Sequence, residues 1–571
     1  MTKKECNIML FSITLCWASS YIFIKDLPAD MSSYAYLTLT AGIAGIILLV
    51  VFHRALKALD WMTVLRSAIL AALIAGNMLM EKKGLEYLPS STASFLASLN
   101  IIIVPVILLM LRKFPTKNNI AGILIILAGL FVSDGISLSG SSAVGTLYMT
   151  GACVLMSLYT IVAADFSKKS NPLVLSVLQI CFSAVIGFGL WFLEDPGTFS
   201  HVAWSNRMLS SIFILAFFSK AYAYIMLMYG EKYADAISVT VIASTEPVVT
   251  LTLALLIPNA QGDTEAFSVK ALIGAVVIAV GAYVAGSDFL DRKKSNMAGK
   301  VTDSGEQQEE PFHTAGMAEK KKGCAMAEPL KQFLLTMVPF AVLGAAFKVM
   351  VLVEGFTEVR PANALPMIAG LSFGLVGALG CAVGNLVADC FGTLNATSVL
   401  GMIGNMMAAY IPYRMWYALS REKPNVHSWK HLFLYIWTAC VGALSCAWFL
   451  GFGLELFFGM WIESVYKYVL LNNLGFSLAL GLPIFILVTS DSIRVKMQGP
   501  KRWENPFGLK RGRWVVAVLV ADTVLLLGIM LGVFSGFHLN NSVLMCLVSG
   551  IEALLTIGVC ILPTGKERDL K

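Results

Sequence analysis

The chain has 571 residues, 57% of them hydrophobic and only 13% charged, with a net charge of +7, and its mean hydropathy is +0.76. A soluble globular domain carries about 25% charged residues, so this composition excludes a water-facing surface over most of the molecule and predicts an integral membrane protein. The modest positive charge fits Lys and Arg held in cytoplasmic loops, and no nucleic-acid partner is expected.

The apolar residues fall in runs of about 17–25, the length that crosses a hydrocarbon core as a helix. They lack the alternation of a β-barrel. Lys3 and Lys4 precede a run from Ile8 to Ile24 with no small-residue cleavage site after it. It reads as a first span rather than a signal peptide. Further spans are predicted at 33–52, 64–80, 90–111, 119–133, 143–164, 172–193, 207–228, 234–257 and 268–288, which makes ten. Pro105 and Pro247 are expected to kink the fourth and ninth of them.

A polar stretch over 291–329, with Glu309-Glu310 and Lys320-Lys321-Lys322, reads as a flexible linker. A second membrane domain is predicted over 330–565 with six to eight helical segments. Its spans are 331–351, 398–418, 431–451, 474–490, 514–534 and 541–563, with short Gly-rich pieces at 363–374 and 377–391. The expected fold class is therefore all-α: a polytopic ten-helix bundle over 1–290, then a second multi-helix membrane domain.

Loop charge predicts orientation. With the N-terminus inside, internal loops hold Arg54, Lys57, Arg66, Arg112, Lys113, Lys117, Lys168, Lys169 and Lys232, whereas external loops hold Lys25, Lys82, Lys83 and Arg207. The loop with Asp263 and Glu265 falls outside. The linker, the basic loop at 491–513 and the C-terminal Lys566, Arg568 and Lys571 fall inside. Arg421 and Lys423 mark another inside loop, which requires the pieces over 363–391 to act together, as two short crossings or one re-entrant hairpin.

The first block repeats itself. Gly84-x-x-Tyr87 matches Gly230-x-x-Tyr233, and at the same offset Ala97-Ser98-Leu99-Asn100 meets Ala243-Ser244-Thr245-Glu246. Trp61 corresponds to Trp204, and Gly122 and Gly129 to Gly274 and Gly281. The repeats cover about 8–133 and 143–288. Five spans per repeat force the second copy to enter from the opposite side, so the halves are inverted and the expected binding site lies near the midplane between them. These segments, with Trp17-Ala-Ser-Ser-Tyr21 in the first span, resemble the EamA-like drug/metabolite transporter family over about 5–290. The resemblance implies a secondary transporter or exporter of small metabolites, amino acids or drugs.

Ionisable residues inside a span mark pathways. Lys220 and Glu246 lie deep in the eighth and ninth spans at similar height and are expected to pair. The pair reads either as a substrate contact or proton-coupled switch, or as a structural lock. Trp17, Tyr21, Asn77, Asn100, Tyr159 and Tyr224 are further candidates for a midplane cavity, although a residue of this kind alone is more often a helix-packing one.

The second block holds a denser polar cluster: Glu354, Glu358, Arg360, Asn363, Asn385, Asp389 and Asn405. Asn385 and Asp389 share a helical face, and Arg360 is the expected partner of Asp389. Glycines at 370, 374, 377, 380 and 384 allow either close helix approach or unwound backbone around a ligand. Arg360-Pro-Ala-Asn-Ala-Leu-Pro through Gly384-Asn385-Leu-Val-Ala-Asp389 resembles the substrate-capture components of energy-coupling-factor vitamin transporters, queuosine-precursor-like, over about 330–490. That likeness implies ligand capture from outside and separate ATPase or coupling subunits as partners, with Ala341-x-x-x-Ala345 placed to meet them. More than six apolar pieces depart from that family's pattern.

No Gly-x-x-x-x-Gly-Lys-Ser/Thr phosphate loop occurs, and no catalytic motif, metal site or cofactor is expected. The eleven cysteines are scattered, as Cys153, Cys181, Cys446 and Cys560 show, and form no disulfide framework. His427 and His431 have i, i+4 spacing without a third ligand and read as a loop and helix start. The leading expectation is a secondary transporter of amino-acid, drug or nucleobase-like solutes and not an enzyme. A binding component serving separate ATPases is the alternative. A membrane enzyme on lipid-linked substrates, using Glu354, Glu358, Arg360 and Asp389, is the third reading.

Overall fold

The computed structural model describes residues 2–28, 31–112, 116–132, 141–194, 196–197, 200, 202–234, 236–256, 268–286, 327–348, 350–353, 355–490, 495, 497, 499–500, 510 and 512–563. The predicted linker is outside this set almost entirely. So are Asp263, Glu265, Glu354, the C-terminal basic residues and most of the basic loop at 491–513. Among the described residues, 14 helices are long and apolar enough to cross a membrane. The chain divides into two compact units, Ile13–Ala327 and Glu328–Lys571 with Met1–Ser12.

The first unit contains the ten predicted spans, the first of them from Ile13 onward. They are α1 (Lys3–Lys25), α2 (Ser33–Phe52), α3 (Trp61–Leu85), the pair α4 (Ser90–Ala97) and α5 (Asn100–Met110), α6 (Lys117–Val132), α7 (Ser141–Lys169), α8 (Pro172–Glu194), α9 (Asn206–Tyr233), the pair α10 (Ala236–Ala243) and α11 (Glu246–Leu256), and α12 (Val269–Gly286). A bilayer offers no hydrogen bonds to the backbone, so apolar runs of this length close their bonds internally as helix. The ends that reach polar surroundings are capped by side chains. Ser32 accepts from the Ala35 amide, Asp60 from Thr63 and Ser205 from Met208, each satisfying a donor that the first turn leaves over.

The fourth and ninth spans break at the duplicated motif, not at the prolines. Helix stops at Ala97 and resumes at Asn100; it stops at Ala243 and resumes at Glu246. Pro105 lies inside α5 without dividing it, and Pro247 stands in the first turn of α11, where its missing amide costs no hydrogen bond. A serine stands at each break. Ser98 Oγ donates to the Ser94 carbonyl at 3.3 Å and Ser244 Oγ to the Val241 carbonyl at 2.6 Å, drawing on acceptors the helix ladder uses. The halves then cross: α4 packs on α11, and α5 on α10.

The sixth and twelfth helices carry the inverted symmetry in their contacts. A Cβ on Gly122 would lie 2.6 Å from the Gly281 carbonyl, and one on Gly129 would lie 2.9 Å from the Gly274 carbonyl. Gly122 is equivalent to Gly274 and Gly129 to Gly281 in the repeats. Each glycine therefore meets the equivalent of the other, as a two-fold axis requires.

The second unit comprises α13 (Ala327–Ala346), a small hairpin of β1 (Val351–Val353) and β2 (Thr357–Glu358), α14 (Leu365–Asp389), α15 (Ser398–Leu419), α16 (Trp429–Phe458), α17 (Glu463–Thr489), α18 (Arg513–Phe534) and α19 (Val543–Cys560). The two Gly-rich pieces are the arms of α14. They meet at Gly374, whose φ of 58° and ψ of −134° suit only glycine. The arms fold back on each other, since Gly377 approaches the Ala369 backbone, a contact no straight helix allows eight residues apart. The first arm rises only about 13 Å at 1.5 Å per residue, less than half of a hydrocarbon core. The two Gly-rich pieces thus form one helical hairpin folded at Gly374. Its glycines serve close packing: Gly370 abuts the Ala409 backbone of α15, and a Cβ on Gly384 would lie 2.8 Å from the Met337 carbonyl of α13.

The last two spans, α18 and α19, pair with each other and rest on α15 and α16. Leu519, Leu526, Ile529 and Val559 join Met415, Val441 and Leu444 in one apolar core. Ser428 caps α16 by accepting from the His431 amide, and Gly459 ends that helix with φ 65°. His427 and His431 thus stand in the loop and at the helix start.

Candidate functional site

In the first unit a cavity of about 770 Å³, including the part open to solvent, lies where the broken spans cross. Its wall is symmetric in origin. Helices α1, α3 and α4–α5 contribute from the first repeat, and α7, α9 and α10–α11, their equivalents, from the second. Seven of the eight candidates read from the sequence line it: Trp17, Tyr21, Asn77, Asn100, Lys220, Tyr224 and Glu246. Tyr159 does not. It sits fully buried behind Tyr224, edge-on at 6.0 Å between ring centres.

Three of the wall residues are tied to neighbouring helices. Asn77 Nδ2 donates to the Ala152 carbonyl at 3.0 Å, and Asn100 Oδ1 accepts from Ser157 Oγ at 3.1 Å. Trp17 Nε1 donates to the Ser219 carbonyl at 3.4 Å and its ring leans on Tyr224 at 5.9 Å. Ser219 belongs to a π-helical stretch, Leu215–Tyr222, in the middle of α9. Widening the helix there displaces backbone carbonyls from the regular ladder and turns Lys220 inward, with Nζ 5.8 Å from the centre of the Tyr36 ring.

Lys220 and Glu246 line the same cavity, but the structure records no ion pair between them. The acidic neighbour of Lys220 is Glu81 of α3, which also faces Glu246. Tyr21 lies within hydrogen-bonding reach of Glu246. Glu81 escaped the sequence reading because it precedes Lys82, Lys83 and Glu86, a charge run that resembles a solvated loop. In fact α3 continues to Leu85, Lys82 is buried and pairs with Glu86 at 3.2 Å, and Glu81 points the other way. The cavity thus presents two carboxyls and one amine among aromatic rings and amides.

In the second unit a pocket of about 550 Å³ is framed by β2, α14, α15, α16 and α17. Arg360 organises it. Its Nη1 donates to Asn385 Oδ1 at 2.6 Å, and its Nη2 to Glu358 Oε1 and Asp389 Oδ1, each at 3.1 Å. Asn385 Nδ2 donates to Asp389 Oδ2 at 3.3 Å, and Asn405 Nδ2 to Asn385 Oδ1 at 3.1 Å. Arg360, Asn363, Asp389 and Asn405 line the pocket, while Glu358 and Asn385 stand behind them. Glu354 lies outside the described residues.

Lys348, inside the predicted span 331–351, is a residue the sequence does not single out. Its Nζ reaches Glu358 at 2.6 Å and Asp389 at 2.7 Å and also bonds Thr393. Two cations and two carboxylates therefore form one closed buried network. Asn472 and Asn473 were missed as well, since they fall in what reads as plain helix. Asn472 accepts from the Arg360 amide at 3.2 Å and donates to the Glu358 carbonyl at 2.8 Å, tying the short hairpin to α17. Among the described residues, no group of three or more His, Cys, Asp or Glu is placed to hold a metal ion.

The fold and the first cavity define a polytopic membrane protein with a tandem inverted repeat. The model of the EamA-like transporter family matches residues 5–133 and again 143–287, one match per repeat. An uncharacterized transporter of Archaeoglobus fulgidus is 22% identical over 250 residues, covering 43% of this chain and 76% of that protein. A solved crystal structure aligns with 51% of this chain and 99% of its own at 18% identity, with a TM-score of 0.42.

Proposed function

We propose that the first unit is a secondary transporter that moves a small amino-acid, drug or nucleobase-like solute by alternating access. The observation that carries this reading is the cavity at the crossing of the two broken spans, lined by equivalent helices of both repeats. Lys220, Glu81 and Glu246 supply charges for a polar or zwitterionic group, and Trp17, Tyr21 and Tyr224 supply apolar faces. Alternating access follows from exchanging the conformations of two inverted halves around one fixed site. Loop charge puts the N-terminus, the segment between the units and the C-terminus on the cytoplasmic side. The test is uptake by the full chain in proteoliposomes, using a panel of labelled amino acids and nucleobases. Glu246→Gln and Lys220→Met abolish uptake in this reading; uptake unchanged in both rejects it.

A second reading concerns the second unit, and the pocket around Arg360 favours it. That unit resembles the capture components of energy-coupling-factor transporters, and in this reading it binds a vitamin-like ligand and delivers it to separate ATPase subunits. Binding raises apparent stability. A vitamin and nucleobase panel that raises the melting temperature of the full chain, with the rise lost in Asn405→Ala and kept in Glu246→Gln, supports it. A rise lost only in Glu246→Gln assigns the ligand to the first unit instead.

A further inference from the structure

One carboxyl in the transport unit is left out of the cavity. Glu231 sits within the last turn of α9 with no exposed surface, and neither of its carboxyl oxygens has a hydrogen-bond partner. Among the described residues no charged group offsets it: the titratable groups within its electrostatic reach are the phenols of Tyr159 on α7 and Tyr224 on α9 itself. The other helices packed on this end of α9 are α8 and α10. The polar groups α8 brings are Gln179 and Ser176, and Ser176 is already engaged with the Tyr224 carbonyl at 3.2 Å. Gln179 Oε1 accepts from the Tyr159 hydroxyl at 3.3 Å, which leaves Gln179 Nε2 buried and also without a partner.

A bare carboxylate in such a place carries a desolvation cost of several kcal/mol with nothing to offset it. A protonated, neutral carboxyl avoids that cost. A leucine or glutamine would fill the same space at lower cost, so packing alone does not account for an acid. Intramembrane carboxyls without a structural partner are the usual carriers of protons. The position suits that task. Glu231 lies three turns along the same helix from Lys220, and Tyr224 stands between them with one face on the cavity and its ring against Tyr159. A movement of α9 displaces the cavity amine and this carboxyl together.

We propose that Glu231 is a proton-binding site of the transport unit, occupied in this arrangement and emptied when α9 moves. On emptying, the O–H bond of the carboxyl breaks, the proton passes to water, and the carboxylate that remains takes the free Gln179 amide as its donor. Reprotonation from water reverses the step. The emptying step rests on the reading of this unit as an alternating transporter; the occupancy does not.

The test is infrared titration of the full chain in liposomes, comparing wild type with Glu231→Gln. At neutral pH the difference spectrum contains the carbonyl band of a protonated carboxyl and no carboxylate band. At alkaline pH it converts to carboxylate with release of one proton per chain, and in heavy water the band shifts by exchange. A carboxylate band at neutral pH overturns the proposal, as does a protonated band that neither titrates nor exchanges. Tyr159→Phe keeps the carboxyl, and it moves the pH at which the band disappears. A band untouched by both substitutions belongs to other carboxyls and also overturns it. Failure of the transporter reading looks different: Glu246→Gln leaves uptake unchanged while the Glu231 band still titrates.

Discussion

Replacing Lys348 with Met removes one of the two cations in the buried network of the second unit. Lys348 and its partners Glu358 and Asp389 are 8%, 3% and 5% exposed, so water does little to screen them. The substitution leaves two carboxylates against Arg360 alone, which reaches each at 3.1 Å. Breaking a buried pair by removing one partner costs about 3–5 kcal/mol, chiefly because the other charge stays buried. The double substitution Lys348→Met with Glu358→Gln restores one cation against one anion and keeps the side-chain volumes. It recovers more than half of that loss, a coupling of about 2–3 kcal/mol, within the range for residues in one network. The assay is thermal or denaturant unfolding of the purified full chain in detergent for wild type, both singles and the double. A double variant that shows only the sum of the two single losses refutes the closed network. A Lys348→Met variant as stable as wild type refutes the burial argument altogether.

Gly122→Ala and Gly281→Ala each place a methyl against the partner helix backbone and destabilise by about 1–3 kcal/mol, whereas Gly42→Ala, with open space around it, changes unfolding little. The two substitutions disturb one contact, because each glycine faces the carbonyl of the other. Gly374→Ala forces a side chain into a conformation only glycine adopts and costs about 1–3 kcal/mol, read as a lower melting temperature and lower yield. The cap at Asp60 is sensitive to pH. Its hydrogen bonds from Thr63 hold the carboxyl below its usual 3.8, so the cap is fully formed above that value and is lost as pH falls through the lower folded value. Amide exchange at Thr63 accelerates over that acid range in wild type and shows no such step in Asp60→Ala.

The spans were legible because hydrophobic length is a strong signal, and the duplication because Gly84-x-x-Tyr87 and Gly230-x-x-Tyr233 share an offset. That same offset held more than was taken from it. Ala97-Ser98 and Ala243-Ser244 mark the helix breaks themselves, while the breaks were assigned to Pro105 and Pro247. Proline is a loud signal in sequence, but its effect depends on register, and Pro247 occupies a first turn that tolerates it. Long side chains at span ends were the weak point. Glu81 and Lys348 lie next to charges or termini, and only the three-dimensional path shows that each turns inward. The Lys220–Glu246 pairing failed for a related reason: equal height does not fix the direction in which a side chain points, and a π-helical stretch rotates everything beyond it. Arg360 and Asp389 could be matched because few opposite charges competed nearby.

The hairpin at Gly374 bears on how the protein is made. Its first arm is too short to hold a place across a bilayer by itself, and the surface that receives it, around Ala409, is synthesised later. The segment therefore cannot settle as it leaves the ribosome. It must wait at the membrane surface until α15 has been threaded, so Gly370, which seats the arm on Ala409, bears on the order of assembly. Substitutions there lower the amount of protein delivered to the membrane before they alter anything that the finished molecule does.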